Sequence, residues 1–409
     1  MRGVDERASP APGAPAASPR TSAGDLAARA GAGVPEVTIV AQDIGGARGM
    51  ERVLSELILG LADSGCQVTV VGRTCELPKT PGVTFRRVRG PARPFLIAYP
   101  WFVLAASLTL ARRRRGVVHV TGGIVLNRVD VIGVHYCHQV ALATPSRDNL
   151  LFRVHNRLAG VMKRVGERVC FRASHARAFA CVSEGVAEEI RVHYPQLADR
   201  VLTIHNGVDT RTFAPGAHRE QARALRERLG IAEGRLVAVF VGSEWKRKGL
   251  RCAIEALALA REWDLVVAGG GHEKGYQQIA DALGVGEAVH WLGVTREVQV
   301  VYAMADAFVF PSSYETFSLV TFEAAASGLA VLATPVNGVR ELIDDGRNGF
   351  LISPQPDVIA ARLRRLGAEP ALRESVGQAA RRSALQFSWA STIAKHQLLY
   401  ARMASSSGS

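Results

Sequence analysis

The chain has 409 residues, of which 48% are hydrophobic, and its formal net charge at pH 7 is +13. This length excludes a single hydrophobic core, so we expect two packed domains of ordinary size. The charge is concentrated in residues 36–199, with 22 Lys and Arg against 13 Asp and Glu, which favours an anionic membrane, a phosphorylated substrate or nucleic acid as partner.

The first segment, residues 1–35, is rich in Ala, Pro, Gly and Ser and lacks the apolar run that a signal peptide needs. We predict a disordered tail there. The six cysteines form no Cys-x-x-Cys pair and show no matching histidine spacing. They favour a reducing compartment over a disulfide framework or a zinc site, so we expect a cytoplasmic protein.

The first folded segment alternates an apolar strand, a glycine loop and a helix. It reads VTIVAQDIGGARGMERVLSELILGLADSGCQVTVVG, with Gly45 and Gly46 behind the strand and leucines at helical spacing after them. Such a β-loop-α-β unit predicts a parallel sheet. Further strands are predicted at VVHV (117–120), VDVIGVHY (129–136) and AFACVS (178–183).

An uncharged segment, FLIAYPWFVLAASLTLA at residues 95–111, runs directly into four arginines at 112–115. Its length reaches only the short end of the range for a membrane span, about 17 to 25 residues. Pro100 and the strand-like VVHV behind it favour a helix that packs on a sheet. That helix would either end in a solvated arginine cap or insert partly at a membrane surface, with its arginines at anionic headgroups.

The pattern restarts in the second half with LVAVFVGSEWKRKGLRCAIEALALA, again a strand, a glycine loop, basic residues and a helix. WDLVVAGGG, AVHWLG, AFVFPS and LAVLATP continue the alternation. The predicted fold class is therefore α/β, with two facing, Rossmann-like, doubly wound domains and a cleft between them. Ligands of such sheets lie at the carboxyl ends of the strands, so the cleft is the expected site.

Two cations follow the glycine that ends the first strand of the second half. Behind Gly242, Arg247 and Lys248 lead into a helix, whose free N–H groups and dipole of about half a unit charge would favour a diphosphate. The spacing matches neither a P-loop nor a dinucleotide fingerprint, which weakens NTPase and dehydrogenase interpretations. The same residue types also suit an exposed loop.

Two carboxylates lie eight residues apart in SSYETFSLVTFEAAASG, residues 312–328. Because a buried strand is predicted just before it, Glu315 falls in the strand-to-helix loop and Glu323 about a turn and a half into the helix. Glu323 could accept hydrogen bonds from a ribose diol, and Glu315 from sugar hydroxyls. Taken singly, each acid is also what an exposed helix or loop carries.

Residues 312–352 resemble the signature of the family 4 glycosyltransferases, retaining enzymes of the two-domain GT-B fold, with Glu315 and Glu323 as the Glu-x7-Glu element. Other similarities are the Gly45-Gly46 loop, HNGVD at 205–209, FVGS-x3-RKG at 240–249, NG-x2-E at 337–341 and FSW at 387–389. The GS-x3-RKG form looks like the branch with lipopolysaccharide-core glucosyltransferases. The chain departs from the family in having Ser318 where Gly is frequent, Asn337 in place of Gly, and Ser243 in place of Arg.

The resemblance implies a nucleotide-sugar site in the second domain. Arg247 and Lys248 would offset the charge of the donor diphosphate as the glycosidic bond breaks. Glu323 would hold the ribose and Glu315 would orient the donor sugar. The remaining contacts would come from Gly242, Gly45 and Gly46, which permit close approach, and from the loop Thr316, Phe317, Ser318 and Leu319, whose backbone would cradle the diphosphate.

The resemblance also implies a histidine near the reacting carbon, after a first-domain strand. VIGVHYCHQ offers His135 and His138, and we prefer His138 because it lies further towards the loop. No metal and no cofactor are expected, since the chain contains no Asp-x-Asp and two histidines make a weak metal site. The substrate would itself be the nucleotide-diphosphate sugar, most often UDP-linked.

The implied domain organisation is an acceptor-binding domain at 36–205 and a nucleotide-sugar-binding domain at 206–386. Residues 387–409 would form a helix that crosses back to the first domain, followed by a disordered end. Expected partners are the donor, a saccharide, lipid-linked or other anionic acceptor, and the inner face of an anionic membrane.

Three other interpretations stay open at this point. A sugar phosphorylase or a nucleotide-sugar epimerase would share the fold. A nucleic-acid-binding protein would explain the charge, although the chain lacks interleaved aromatics or a recognised nucleic-acid motif. An inactive scaffold would not need the carboxylates and cations that the chain has kept.

Overall fold

The computed structural model of the chain describes residues 36–45, 49–140 and 150–405. Within them the chain forms two parallel β-sheets and one small parallel ribbon, with helices on both sides of the sheets. Gly46 lies outside the described residues, so its predicted contact with the donor has no structural counterpart here.

The first sheet has seven parallel strands in the order β5-β3-β1-β6-β7-β8-β9. Its inner strands β1, β6 and β7 are buried along their whole length, as strands covered by helices on both faces must be. Strands β2 and β4 pair only with each other. The bounds are β1 Val37–Val40, β2 Asp43–Ile44, β3 Val68–Gly72, β4 Thr74–Cys75, β5 Val83–Arg87, β6 Val117–Thr121, β7 Val129–Val134, β8 Ala176–Cys181 and β9 Val201–Thr203.

The second sheet has six parallel strands in the order β12-β11-β10-β13-β14-β15. All six positions of β11 and all four of β13 are buried, which explains their continuous apolar sequence. The bounds are β10 Leu236–Val241, β11 Trp263–Ala268, β12 Val289–Gly293, β13 Ala307–Phe310, β14 Ala330–Ala333 and β15 Phe350–Leu351.

The helices cross over between consecutive strands. Their bounds are α1 Gly49–Asp63, α2 Phe95–Arg113, α3 Leu150–Cys170, α4 Glu184–His193, α5 Arg219–Arg228, α6 Trp245–Lys248, α7 Leu250–Leu259, α8 Glu273–Ala282, α9 Val298–Ala303, α10 Leu319–Ala326, α11 Val339–Leu342, α12 Pro356–Ala368, α13 Pro370–Ala384 and α14 Trp389–Ser405. Two short 3-10 helices cover Pro195–Arg200 and Gly286–Ala288.

The strand order determines where a ligand can bind. In chain order, six strands of each sheet follow the pattern 3-2-1-4-5-6, and the first sheet adds a seventh at its edge. In a doubly wound sheet the connections diverge between the first and fourth strands, which opens a crevice at their carboxyl ends. The two switch points are therefore β1 with β6 and β10 with β13.

The last helix, α14, belongs to the first domain by its contacts. It packs along α1, and the Tyr400 hydroxyl bonds to His119 Nδ1 in β6 at 2.6 Å. Residue 208 also pairs with residue 388 in an isolated bridge. The chain thus returns to its first domain after completing the second.

Candidate active site

The loops behind β10 and β13 bring the two predicted cations together with Glu315, one of the two predicted carboxylates. Lys248 Nζ donates to Glu315 Oε1 at 2.7 Å, and Arg247 Nη1 lies 3.1 Å from the same oxygen. Ser312 Oγ donates to it at 3.1 Å. This arrangement follows from topology, because β10 and β13 are neighbours whose carboxyl ends meet at the switch point.

Both cations are held by contacts on more than one side. Lys248 Nζ lies over the Phe310 ring, 4.6 Å from its centroid. The Arg247 guanidinium also pairs with Glu244 at 2.7 Å. Burial opposes the charged form of Arg247, but the Glu315 and Glu244 carboxylates outweigh that effect and raise its pKa. A diphosphate that binds here would displace the Glu315 carboxylate from these two cations.

Gly242 gives Lys248 the space it occupies. Its φ is +140°, and a Cβ at this position would lie 2.8 Å from Lys248 Cδ. Only glycine fits this backbone conformation without strain. Because Gly242 has no Cβ, the methylene groups of Lys248 can lie against the backbone at the end of β10.

Helix α10 starts at the opposite side of the same switch point. Phe317 is buried and stacks on Phe322 with ring centroids 4.1 Å apart, which anchors the loop below the helix. Thr316, Ser318 and Leu319 complete the turn into the helix. The first N–H groups of α10 have no partner inside the helix and are placed to meet an anion.

Glu323 is almost completely buried, at 1% exposure, and contacts the first domain. It pairs with Arg52 of α1, and its Oε2 accepts from the Tyr302 hydroxyl at 3.2 Å. Burial raises the pKa of Glu323, against the opposing charge of Arg52. Its assignment to the ribose stays a prediction. A ribose would reach this carboxylate only if the Arg52 side chain moved away from it.

The glycine loop of the first domain lies opposite. Gly45 follows β2 and approaches the backbone of Glu76, and a Cβ at Gly49 would be 3.8 Å from Leu319 Cδ1. The start of α1 therefore faces the start of α10 across the cleft. The approach of Gly45 to the donor phosphates stays a prediction.

The two candidate histidines occupy different environments. His135 directly follows β7 and lines a cavity of about 20 Å³ with His119 and His396. Burial, with a smaller contribution from His396, lowers the pKa of His135 to about 4. It is therefore a packed, neutral ring beside α14.

His138 lies nearer the cleft, with a third of its side chain exposed. Its ring meets the edge of Tyr136 at 5.1 Å, and Tyr136 meets Tyr314 of the second domain at 5.6 Å. Tyr314 immediately precedes Glu315. His138 thus lies nearer the cleft than His135 does, and its role at the acceptor side stays a prediction.

Several polar contacts join the domains beside the site. Glu189 of α4 accepts from the Tyr314 hydroxyl at 3.1 Å and from Asn337 Nδ2 at 2.7 Å. Ser183 Oγ donates to the Thr316 carbonyl at 2.6 Å. These contacts hold the loop around Glu315 against the first domain.

Comparison with known proteins agrees with this architecture. A family model described as Glycosyl transferases group 1 matches residues 221–383, and one described as Glycosyltransferase Family 4 matches residues 47–212. The D-inositol 3-phosphate glycosyltransferase of Geodermatophilus obscurus is 30% identical, over 85% of this chain and 83% of that protein.

The chain belongs to the family 4 glycosyltransferases. Solved structures place its fold in the GT-B class. WaaG, a glycosyltransferase involved in lipopolysaccharide biosynthesis, superposes with a TM-score of 0.74 at 21% identity, over 88% of this chain and 98% of WaaG. Anabaena HepE in complex with UDP and glucose gives 0.67 at 18% identity, over 88% and 98%.

Two residues of this glycosyltransferase's site went unrecognised in the sequence. Arg52 lies in the first turn of α1, behind the glycine loop in GARGMER, and nothing in its spacing connects it to Glu323. Glu167 is the single acid in the basic helix α3, where nothing in the spacing connects it to His138. Both connections join residues that are distant in the chain, so only the folded structure reveals them.

Proposed function

We propose that this glycosyltransferase transfers a sugar, with retention at the anomeric carbon, from a UDP-linked donor to an anionic or lipid-linked saccharide acceptor. The reaction would serve cell-envelope or polysaccharide assembly at the inner face of the cytoplasmic membrane. One observation carries the donor assignment: Arg247, Lys248 and the start of α10 converge on one switch point.

The chemistry follows from charge. As the glycosidic bond breaks, negative charge develops on the departing diphosphate, and pre-placed cations and N–H groups stabilise it most where water is excluded. Arg247 and Lys248 supply the cations, and Glu315, freed from them by the diphosphate, turns to the hydroxyls of the donor sugar. Support for UDP comes from HepE, which was solved with UDP and glucose.

The acceptor assignment rests on charge and on relatives. The acceptor-binding half is basic, and the relative from Geodermatophilus obscurus is named a D-inositol 3-phosphate glycosyltransferase. An anionic acceptor suits both observations. D-inositol 3-phosphate is therefore the first soluble acceptor to test.

Thermal stabilisation by UDP, GDP, ADP and their sugars tests the donor site. A ligand at ~100 times its Kd adds about 2.7 kcal/mol to the free energy of unfolding, which is visible as a rise in Tm. We expect one donor to raise Tm in the wild type but not in Lys248→Ala. Lys246→Ala, two residues earlier on the exposed side of α6, is the matched control and should keep the shift. Absence of a shift with every donor would contradict the proposal.

Product analysis separates the same-fold alternatives. A transferase needs an acceptor and releases the nucleoside diphosphate. A phosphorylase would depend on inorganic phosphate, and an epimerase would convert the donor without an acceptor. Transfer to D-inositol 3-phosphate with release of UDP would support the proposal, and phosphate-dependent release of sugar 1-phosphate would overturn it.

Membrane contact has support in the first domain. Among the residues that the structure describes, α2 is the one helix long and apolar enough to span a membrane. One side of α2 packs on the domain, so we propose that the helix lies along a membrane rather than across it. Its other side exposes four apolar side chains at the three- and four-residue spacing of one helix face, Ile97, Trp101, Leu104 and Leu108.

Helix α3 repeats this pattern with the same spacing. Its exposed apolar residues are Val154, Leu158, Val161 and Val165. Lys163 lies over the Phe95 ring at 5.0 Å, so the end of α3 meets the start of α2. Five basic residues on α3 and two on α2 accompany a single acid, which favours an anionic bilayer.

Vesicle sedimentation tests this contact. Leu104→Ser with Leu158→Ser should weaken binding to phosphatidylglycerol-containing vesicles about tenfold or more, because both side chains lose their apolar burial. Leu259→Ser, an equally exposed leucine of the second domain, should leave binding unchanged. Equal loss in both proteins, or no binding by the wild type, would contradict membrane contact.

A further inference from the structure

A buried carboxylate stands behind the candidate acceptor histidine. Glu167 of α3 is 3% exposed, and its Oε2 accepts from the backbone N–H of His138 at 2.8 Å and from His138 Nδ1 at 2.7 Å. Its Oε1 accepts from the Tyr194 hydroxyl at 2.8 Å, and Gln139 Nε2 donates to that hydroxyl at 3.2 Å. The Glu167 side chain thus holds both the backbone and the ring of His138.

This geometry determines which ring nitrogen of a neutral His138 carries the proton. A carboxylate only accepts, so the proton of a neutral His138 lies on Nδ1 and its Nε2 becomes a hydrogen-bond acceptor. In the part of the chain that the structure describes, Nε2 of His138 has no hydrogen-bond partner. The nitrogen is therefore available to a hydroxyl that enters the cleft.

Two neighbours define the surroundings of the His138 ring on the first-domain side. Tyr136 covers one side of the ring, Glu167 holds the other, and Tyr136 contacts Tyr314 beside Glu315. An acceptor bound between the domains would thus meet His138 from the first domain and the donor site from the second.

We propose that Glu167 is a positioning residue for sugar transfer. It fixes the Nδ1–H tautomer and the orientation of His138, so that Nε2 accepts a hydrogen bond from the hydroxyl of the acceptor that attacks the donor sugar. The inference rests on the proposed function, because it requires an acceptor in the cleft. The tautomer itself is a property of the free enzyme and can be measured separately.

The first measurement is the tautomer, by NMR of the full-length enzyme labelled with ¹⁵N at its histidines. His138→Ala identifies the His138 signals among the 11 histidines. We expect Nδ1–H in the wild type and loss of that preference in Glu167→Leu, which leaves the Nδ1–H without an acceptor. An Nε2–H tautomer in the wild type, or an unchanged tautomer in the variant, would overturn the proposal.

The second measurement is transfer from UDP-glucose, or from the nucleotide sugar with the largest thermal shift, to D-inositol 3-phosphate. Glu167→Gln should lower kcat about tenfold, because a neutral amide oxygen holds the imidazole N–H more weakly than a carboxylate does, with KM for the donor unchanged. In a His138→Ala background the same change should have no further effect, because Glu167 acts through His138. Equal losses in both backgrounds would overturn the proposal.

Tyr194→Phe is the structural control. It removes the other side-chain hydrogen bond of Glu167 without touching the imidazole. A merely structural Glu167 predicts that Glu167→Gln and Tyr194→Phe lower Tm and kcat alike, which would overturn the proposal. The donor-induced rise in Tm should survive in all these variants; if it is absent from the wild type, the donor site fails while the tautomer result still stands.

Discussion

At the scale of single residues, a side-chain hydrogen bond of Ser318 partly offsets the strain of its backbone conformation. Its φ of 66° and ψ of 59° lie in the left-handed region, which costs a non-glycine residue about 1–2 kcal/mol. Its buried hydroxyl bonds to that of Thr321 at 2.7 Å, which offsets about 1 kcal/mol of this. The serine is therefore tolerated where the family often has glycine.

This balance predicts an unusual order of stability at position 318. Ser318→Ala should lower the free energy of unfolding by about 1–3 kcal/mol, since the strain stays and the Thr321 hydroxyl loses its partner. Ser318→Gly should lower it less, since the strain disappears. Urea unfolding followed by circular dichroism measures both.

Ser327, at the other end of α10, supplies the comparison. Its φ of −74° is right-handed, so glycine there should be worse than alanine by about 0.5–1 kcal/mol. If alanine is the better substitute at both positions, the backbone strain at Ser318 is not what limits stability.

At the scale of elements, the parallel pairing of β10 with β13 places the cations opposite Glu315. Taken alone, the loop behind β10 is an ordinary basic loop and the loop behind β13 is an ordinary acidic loop. The strand order 3-2-1-4-5-6 puts these two loops side by side, whereas the alternation of strands and helices in the sequence predicted parallel sheets without giving their order. The position of Lys248 within its loop depends further on Gly242.

Gly242→Ala should weaken donor binding. The new Cβ would lie 2.8 Å from Lys248 Cδ, so the lysine must leave its place beside Glu315. We expect the donor-induced rise in Tm to shrink, together with a loss of stability of about 1 kcal/mol from backbone strain. Differential scanning fluorimetry with and without donor measures both effects.

Gly230→Ala is the control that introduces backbone strain without a steric contact. Its φ is +69°, but a Cβ there meets nothing within 4 Å. This variant should therefore lose stability without any change in the donor effect. Equal donor shifts in the two glycine variants would remove Gly242 from the donor site.

At the scale of the whole molecule, buried histidines join the C-terminal helix to the first domain. His119 of β6 stacks on His396 of α14 at 5.7 Å, and His135 lies beside them. Burial lowers the pKa of His135 and of His396 to about 4. The returning helix is thus attached through rings that must stay neutral.

Acid should therefore destabilise the protein between about pH 6.5 and pH 4. The unfolded histidines bind protons near pH 6.5, whereas the buried rings do so only near pH 4. In this window the unfolded state binds more protons, so the free energy of unfolding falls as the pH is lowered, by up to about 3 kcal/mol per histidine.

Urea unfolding at several pH values measures this slope. His396→Gln should reduce it, because one of the buried rings is removed. His193→Gln, an exposed histidine of α4, should leave it unchanged. A slope that is identical in wild type and His396→Gln would show that other groups cause the acid sensitivity.

Local sequence patterns were enough to predict the fold class and the cleft between the domains. Buried parallel strands are continuous apolar runs and helices carry their own periodicity, so local patterns suffice to predict two doubly wound domains. The resemblance to the family 4 glycosyltransferases grouped Arg247, Lys248 and Glu315 as candidate site residues, and the neighbouring strands β10 and β13 bring their side chains into contact.

The tertiary structure alone decided the long-range pairings. Arg52 with Glu323 and Glu167 with His138 join residues 271 and 29 positions apart, and neither pair follows from strand order or helix period. The same holds for His119, His135 and His396. Ion pairs and buried rings depend on how side chains meet in space, which a linear pattern of residue types does not encode.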